Sequence, residues 1–277
     1  MKLRGVSSGV ALKSANRRPV ALTVAGSDSG GGAGIQADLK VFAALGVHGT
    51  SALTCLTAQT PAGVTGVHAV PSAFVARQME ALMRDLPPAA AKTGMLFNAG
   101  IIRTVSQAFA ARPEIPLVVD PVMIATSGAR LLRPDAMRAL QDALLPVAAL
   151  VTPNLDEAAA LMGRPLVSVD DLRWAARGIH GRWGVPALVK GGHLRDAAQA
   201  TDVFWDGREE RILRAPFVPG VSTHGTGCTY SAAITAFLAL GHPLSESVER
   251  AKRTITRAIR RSTPLGPDGR FEALLPG

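Results

Sequence analysis

The chain has 277 residues, of which 47% are hydrophobic, 18% charged and 4% aromatic, and its formal net charge is +9. This composition indicates a folded protein with a large apolar core, and the scarcity of aromatic residues argues against a nucleic-acid-binding surface built on base stacking. No uninterrupted apolar stretch reaches the roughly 20 residues of a membrane span. The two cysteines, Cys55 and Cys228, make no disulfide framework, which favours a cytoplasmic location.

Residues 1–18 differ from the rest of the chain in charge. They contain five Lys or Arg residues and no acidic residue. They also lack the continuous apolar stretch of a signal peptide, so we expect a disordered basic extension there. No linker or shift in composition interrupts the remainder, which predicts a single domain over 19–266 and a loose C-terminal tail over 267–277.

Beyond the extension, apolar strand-like runs alternate with helical periods along most of the chain. The predicted strands are 19–25, 47–58, 90–96, 117–120, 148–152 and 187–190. The predicted helices are 35–45, 72–85, 99–111, 134–145, 155–162, 169–183, 230–240 and 244–262. Such alternation is typical of an α/β fold with a mostly parallel central sheet and helices on both faces. Residues 59–71 are too polar and glycine-rich for a core element, and are expected to form a flap over a site or a long surface connection.

The most informative segment is 224–229, His-Gly-Thr-Gly-Cys-Thr, which directly precedes an apolar helix. A glycine-bearing turn at a helix start leaves unpaired N–H groups at the positive end of the helix dipole, which is a ready anion site. The same field stabilises a thiolate, so Cys228 is predicted to accept a proton near neutral pH. An anion site beside a base suggests phosphoryl transfer to a hydroxyl. The plainer alternative is a connector turn with an inert cysteine.

Two common phosphate-binding patterns are excluded. The glycine-rich stretch 26–34 follows a strand and opens a helix, as in dinucleotide-binding folds, but no Asp or Glu occurs between Asp38 and Glu80. The acid that would hold a ribose is therefore missing. No Gly-Lys dipeptide occurs in the chain, which excludes a Walker-type loop.

Polar residues at successive strand ends fit a third arrangement. Asp120 ends one apolar strand, and Asn154 and Glu157 follow the next, with Asn154 a natural helix N-cap. Strand ends of an open α/β sheet meet at the ligand-binding edge, where Asp120 and Glu157 can hold Mg²⁺ with several waters retained. Lys190, after a further strand, adds a cation for a phosphate. Each residue also has a structural alternative: helix capping for Asn154 and Glu157, a turn for Asp120, and a surface position for Lys190.

Taken in order, these motifs resemble the hydroxymethylpyrimidine/phosphomethylpyrimidine kinases of thiamine biosynthesis, within the ribokinase-like superfamily. The resemblance spans roughly residues 20–262 and rests on seven ordered segments: 25–40, 58–60, 92–96, 120–123, 152–158, 190–193 and 224–229. It implies a three-layer α/β/α ribokinase-like fold. A cysteine at position 228, where sugar kinases of this superfamily usually have Asp, is typical of the pyrimidine and pyridoxal branch.

The resemblance also implies roles for individual residues. Cys228 would be the catalytic base, with the N–H groups of Gly225, Thr226 and Gly227 around the transferred phosphoryl group. Asp120 and Glu157 would organise Mg²⁺. The residues implied in ATP binding are Lys190, Asn154 and Glu157, and those implied in substrate binding are Gln59, Gly26, Asp38, Met95 and Val122.

The expected activity is ATP-dependent phosphorylation of 4-amino-5-hydroxymethyl-2-methylpyrimidine and then of its monophosphate, with ATP and Mg²⁺ as cofactors. Gln59 favours the pyrimidine because a carboxamide can both donate to and accept from its polar edge. The alternatives are a pyridoxal kinase of the same fold, or a nucleotide- or vitamin-binding sensor without catalysis. We expect a homodimer, with neither nucleic acid nor membrane as a partner.

Overall fold

The computed structural model describes residues 17–123, 134–192, 194, 199–218, 224–266, 271–274 and 276. Within them the strands are β1 Val20–Asp28, β2 His48–Thr60, β3 Gly63–Ala69, β4 Ala90–Thr93, β5 Leu117–Val119, β6 Leu150–Val151, β7 Ala187–Gly191, β8 Gln199–Trp205, β9 Glu210–Pro216, β10 Thr263–Leu265 and β11 Phe271–Ala273. The α-helices are α1 Gly34–Ala44, α2 Ser72–Asp85, α3 Ala99–Ala110, α4 Pro134–Ala139, α5 Leu155–Met162, α6 Val169–Trp183, α7 Thr226–Ala239 and α8 Leu244–Arg260.

The central sheet has the strand order β3-β2-β1-β4-β5-β6-β7-β8-β9. The six central strands β2, β1, β4, β5, β6 and β7 are parallel to one another. At the two ends of the sheet, β3 pairs antiparallel with β2, β8 with β7, and β9 with β8. The prediction of an α/β fold with a mostly parallel sheet is confirmed. Strand order reverses at β1, which lies between β2 and β4, and in open α/β sheets ligands bind beyond the carboxyl ends of the strands at such a point.

Helices cover both faces of this sheet. On one face, Phe42 of α1, Ile234 of α7 and Ile255 of α8 belong to one buried apolar cluster. On the other, Ile102 of α3 and Leu172 of α6 belong to a second buried cluster, which also includes side chains of α2, α4 and α5. The result is a three-layer α/β/α arrangement, as the resemblance implied. None of the helices in the described ranges is long and apolar enough to cross a membrane.

Four segments differ from the sequence expectations. The 59–71 segment is not an irregular connection, because β2 continues to Thr60 and β3 pairs with it as the edge strand, and its action as a flap over the site stays a prediction. An edge strand tolerates glycine and polar residues, since much of its surface faces water. The β8–β9 hairpin was missed because β9 has no apolar run and buries few side chains.

The third difference concerns the chain end. Phe271–Ala273 of the expected loose tail pairs antiparallel with β10, so the expectation of a loose tail does not hold for those residues. Helix α4 is also shorter than expected, and continues as a π-helical turn over Leu140–Leu144 and a 3₁₀ turn over Leu145–Val147. Of the expected basic extension, residues 1–16 lie outside the described residues.

A buried ion pair joins α8 to the antiparallel end of the sheet. Lys252 Nζ donates to Asp202 Oδ2 at 2.7 Å and to the carbonyl oxygen of Ala200 at 3.1 Å. The other Asp202 oxygen, Oδ1, accepts from the N–H of Gly191 at 3.1 Å. Because Gly191 follows Lys190 directly, this pair also fixes the strand end that carries Lys190.

Replacing Lys252 with Met should therefore destabilise the domain by about 3–5 kcal/mol, because Asp202 would remain buried without its counter-ion. Urea unfolding at neutral pH measures this. The double variant Lys252→Met/Asp202→Asn should recover part of the loss, since it leaves no unpaired charge. Arg84→Met removes an exposed ion pair and serves as the control. A loss in Lys252→Met no larger than in this control would contradict the expectation.

Candidate active site

The glycine-bearing turn lies beside Asp120 and Lys190 at the carboxyl edge of the sheet. Helix α7 begins at Thr226, directly after Gly225, which has a φ of 78°. A Cβ at Gly225 would overlap the carbonyl oxygen of Gly32. The 224–228 segment, called here the α7 turn, therefore lies against the loop 29–33 between β1 and α1, called here the β1–α1 loop.

Asp28, the last residue of β1, holds these two segments together. Its Oδ1 accepts from the N–H of Gly30 at 2.8 Å, and its Oδ2 accepts from Gly32 at 3.1 Å and Ala33 at 2.8 Å. The Nε2 atom of His224 lies 3.1 Å from the same Oδ2. Burial alone would raise the pKa of Asp28, but His224 and the loop N–H groups hold it below its ordinary value. Both residues lie within the resembling segments, yet no role was predicted for them.

Cys228 lies in the first turn of α7 and is half-buried. Burial raises the pKa of its thiol to about 11, although Lys92 and the N–H of Gly34 oppose that rise. The thiolate expected near neutral pH is therefore disfavoured in the unliganded protein, because the loss of hydration outweighs the nearby positive groups. Little of a thiol with such a raised pKa is ionised at neutral pH, but the thiolate that does form is a strong base.

Asp120 and Lys190 form a buried ion pair next to the α7 turn. Lys190 Nζ lies 3.0 Å from Asp120 Oδ1, and Ser231 Oγ of α7 donates to Asp120 Oδ2 at 3.2 Å. A Cβ at Gly227 would lie 3.3 Å from Lys190 Nζ and 3.7 Å from Asp120 Oδ2. Burial would raise the pKa of Asp120, but Lys190 and Lys92 hold it below its ordinary value. The structure thus brings both predicted residues to the anion site.

Glu157 and Asn154 form a complete capping box at the start of α5. Asn154 Oδ1 accepts from the N–H of Glu157, and Glu157 Oε2 accepts from the N–H of Asn154, each at 2.9 Å. Glu157 is nevertheless 3% exposed, and burial raises the pKa of its carboxyl to about 7 against the opposing effect of Lys190. The capping alternative is therefore confirmed for both residues, although a cap by itself does not require the burial of Glu157.

These carboxylates fit a magnesium ion that arrives with a nucleotide. Among the described residues, no group of three or more His, Cys, Asp or Glu side chains could form an all-protein metal cage. Mg²⁺ rarely uses such cages, and binds through one or two carboxylates together with water and phosphate oxygens. Asp120 and Glu157 are both buried, and the negative charge of Asp120 contributes to the raised pKa of Glu157. Added positive charge between them would relieve that repulsion.

The residues expected to contact the substrate lie on neighbouring strand ends. A Cβ at Gly26 would lie 3.8 Å from the Cβ of Met95. Gln59 is tied to the β1–α1 loop, because Ser29 Oγ donates to its carbonyl oxygen at 2.7 Å. Its side-chain Oε1 accepts from Thr57 Oγ1 at 3.1 Å. Val122 is half-buried just beyond Asp120.

Asp38 differs from the other residues expected at the substrate, because its side chain is fully buried. Its Oδ1 lies 2.7 Å from Nζ of Lys92, and its Oδ2 accepts from Thr23 Oγ1 at 2.6 Å. Both carboxylate oxygens are therefore engaged inside the protein, and direct substrate contact by Asp38 stays a prediction. Lys92 was missed as a site residue, although a lysine within an apolar strand is an unusual signal.

The arrangement as a whole combines an anion site, a thiol, a cation and two carboxylates at the switch point of a three-layer sheet. These are the parts that phosphoryl transfer needs, because its catalysis consists of positioning and charge stabilisation. Fold and site together define a small-molecule kinase of the ribokinase-like class.

Comparison with known proteins gives the family. The family model of phosphomethylpyrimidine kinase matches residues 28–271, and the chain belongs to that family. It is 46% identical over 260 residues to the hydroxymethylpyrimidine/phosphomethylpyrimidine kinase of Synechococcus elongatus, covering 92% of this chain and 98% of that protein.

Two further relatives show how the family varies. A thiamine biosynthesis bifunctional protein of Geobacter sulfurreducens is 48% identical over 245 residues, and the match covers 88% of this chain and 50% of that protein. The chain thus spans about half the length of this bifunctional relative. The solved ADP complex of Bacillus subtilis pyridoxal kinase superposes with a TM-score of 0.85 at 36% identity, covering 93% of this chain and 97% of that one.

The contact between Gly225 and Gly32 leads to a specific prediction. Gly225→Ala should lower thermal stability and reduce turnover at least about tenfold, because the added methyl group must push the α7 turn off the β1–α1 loop. Gly241→Ala is the matched control, since Gly241 also has a positive φ but no atom lies within 4 Å of its added Cβ. Thermal unfolding and initial rates measure both effects. Equal losses in the two variants would show that only the backbone conformation matters.

Proposed function

We propose that this protein transfers the γ-phosphoryl group of ATP to 4-amino-5-hydroxymethyl-2-methylpyrimidine, and then phosphorylates the resulting monophosphate to the pyrophosphate. The observation that carries the proposal is the α7 turn, whose N–H groups and Cys228 lie beside the Asp120–Lys190 ion pair. The relatives named for both pyrimidine substrates support the choice of acceptor. We also propose that residues 19–266 form one kinase domain.

Each charged residue then has a defined task at the phosphates. Lys190 binds phosphate oxygens, and its ammonium moves between Asp120 and the nucleotide without leaving the buried edge. Asp120, Glu157 and the adjacent Asn154 form an acidic and polar wall that would hold Mg²⁺ when ATP binds, and the ion would supply positive charge to the phosphates. The N–H groups of the α7 turn, from Gly225 to Cys228, donate to the phosphoryl oxygens during transfer.

The proton balance involves Cys228. As the hydroxymethyl oxygen bonds to the γ-phosphorus and the bond to the ADP oxygen breaks, the hydroxyl proton passes to the Cys228 thiolate. The resulting thiol then loses its proton to solvent before the next turnover. Gln59 reads the polar edge of the ring, while Gly26, Met95 and Val122 enclose it. The ring is thereby oriented with its hydroxymethyl group towards the α7 turn.

The test is ADP release with ATP and Mg²⁺ and three acceptors in parallel: the hydroxymethylpyrimidine, its monophosphate and pyridoxal. Turnover of both pyrimidines with little turnover of pyridoxal is the expected result. Turnover of pyridoxal alone would replace the proposal with the second candidate, pyridoxal kinase, which the similarity to the Bacillus subtilis enzyme favours. ATP binding without turnover of any acceptor would favour the sensor.

The two phosphorylation steps should respond differently to loss of the thiol. Cys228→Ala should reduce turnover of the hydroxymethylpyrimidine by at least about 100-fold, because a general base contributes 10²–10⁴-fold. Turnover of the monophosphate should fall much less, since its attacking phosphate oxygen is already ionised. Cys55→Ala removes the other free cysteine, which is buried, and controls for general effects of thiol removal. Equal losses on both acceptors would contradict the role of Cys228 as a base.

We further propose a cytoplasmic homodimer. Both cysteines are free, which supports a reducing compartment. Leu56 and Val67 are 48% and 36% exposed on the β2–β3 hairpin, and β3 leaves one edge of the sheet unpaired in the chain described. Exposed apolar side chains at a free sheet edge favour association between copies. Light scattering after gel filtration gives the oligomeric state directly, and a monomeric mass would exclude the dimer.

A further inference from the structure

A lysine is buried beneath the active site, and the reaction described above gives it no task. Lys92 is the third residue of β4, and its side chain has no exposed surface. In the sheet it is in register with Thr23 of β1 and Val118 of β5. Val118 packs in the cluster formed with α1, α7 and α8. Lys92 therefore projects under the two helices that begin at the site.

The Lys92 ammonium is held in place from α1. Its Nζ lies 2.7 Å from Asp38 Oδ1, while Thr23 Oγ1 donates to Asp38 Oδ2 at 2.6 Å. Within the ranges that the structure describes, Asp38 is the single acceptor found for the three hydrogens of this ammonium. Burying a full ion pair is costly, and a packed apolar pair of similar size would often be more stable. The pair is thus poorly explained by stability alone.

The sulfur of Cys228 faces the same buried charges. A Cβ at Gly225 would lie 3.5 Å from the Cα of Ala33, the residue before α1, so Cys228 in the first turn of α7 lies close to the start of α1. The N–H of Gly34 lowers the pKa of the Cys228 thiol. The charged groups that act on it are Lys92 of β4, Asp38 of α1, Asp120 after β5 and Lys190 of β7. Lys190 already pairs with Asp120 and is the residue proposed to turn towards phosphate. Lys92 is the cation that remains for the sulfur.

We propose that Lys92 is a positioning residue for the phosphoryl transfer: its ammonium, held by Asp38 below the first turn of α7, is the counter-ion of the Cys228 thiolate. This inference rests on the proposed role of Cys228 as the base. When the thiolate forms, the buried ion pair of Lys92 and Asp38 gains a second negative charge that the cation stabilises. Asp38 fixes the position of the cation, although its own charge opposes the thiolate.

The directions of the pKa shifts agree with this geometry. Burial raises the pKa of Cys228 to about 11, and Lys92 is the strongest influence that lowers it, while Asp38 raises it. Burial would lower the pKa of Lys92, but Asp38 first and Cys228 second raise it above its ordinary value. The two members of the ion pair therefore act on the thiol in opposite directions.

Because Lys92 lowers the pKa of the thiol and Asp38 raises it, their effects can be separated in an experiment that needs no kinase activity. In a Cys55→Ala background, the rate of iodoacetamide alkylation of Cys228 is followed against pH, since only the thiolate reacts. Lys92→Met should slow alkylation about tenfold at a fixed pH near 9, equivalent to about one unit in the thiol pKa. Asp38→Asn should instead accelerate it, because the cation remains and the opposing anion is gone. A purely structural ion pair predicts the same direction for both variants.

A third variant keeps the proposal testable if Lys92→Met does not fold. Lys92→Met/Asp38→Asn leaves no unpaired charge, and it should still alkylate more slowly than the parent, because the stronger influence was the cation. Circular dichroism and thermal unfolding verify that each variant is folded. The proposal would be overturned if both single variants changed the alkylation rate in the same direction, or if the double variant reacted as fast as the parent protein. If the alkylation pattern holds while no acceptor is phosphorylated, Lys92 is the counter-ion of the thiolate, but the proposed function fails and with it the role of Lys92 in phosphoryl transfer.

Discussion

The close approach of Gly225 to Gly32 is the constraint on which the rest of the site depends. No side chain fits between the α7 turn and the β1–α1 loop, so the two glycine-rich segments meet backbone to backbone. That contact fixes where α7 begins, and with it the direction of the first N–H groups of the helix. Asp28 reinforces the contact by binding both segments. The positions of Cys228 and of Gly227 beside Lys190 follow from it.

Two ion pairs near this contact balance the charges of the site. Two lysines and two aspartates, Lys92 with Asp38 and Lys190 with Asp120, lie buried under the start of α7. Burying four charges costs desolvation free energy, so stability alone does not explain these ion pairs. Fixed charges are effective in catalysis because they need no reorganisation when charge moves between reacting groups. Glu157, with its pKa raised to about 7, adds a fifth group that responds to added positive charge.

The sequence analysis succeeded where the local pattern and the tertiary environment agree. Helix α5 and its cap were predicted because Asn154 and Glu157 satisfy each other within one turn. Asp120 and Lys190 were both predicted at the ligand-binding edge because each follows a strand of the parallel sheet, but their ion pair was not predicted. The β8–β9 hairpin was missed because β9 has no apolar run and no fully buried side chain. The pKa of Cys228 could not be foreseen, since the helix field is visible in the sequence but the depth of burial is not.

The link between Asp28 and His224 spans 196 positions along the chain, which has a consequence for how the protein acquires its activity. Residues of the site come from β1, from the ends of β4, β5 and β7, and from α7, so no fragment that lacks the last third of the chain contains a complete anion site. A ribosome-bound nascent chain therefore cannot hold nucleotide until α7 has emerged. Contacts of such long sequence separation also form late and slowly in folding. Because a ligand that binds only the folded state shifts the folding equilibrium, a bound nucleotide should protect the entire domain against unfolding and proteolysis, and not merely the loops that touch it.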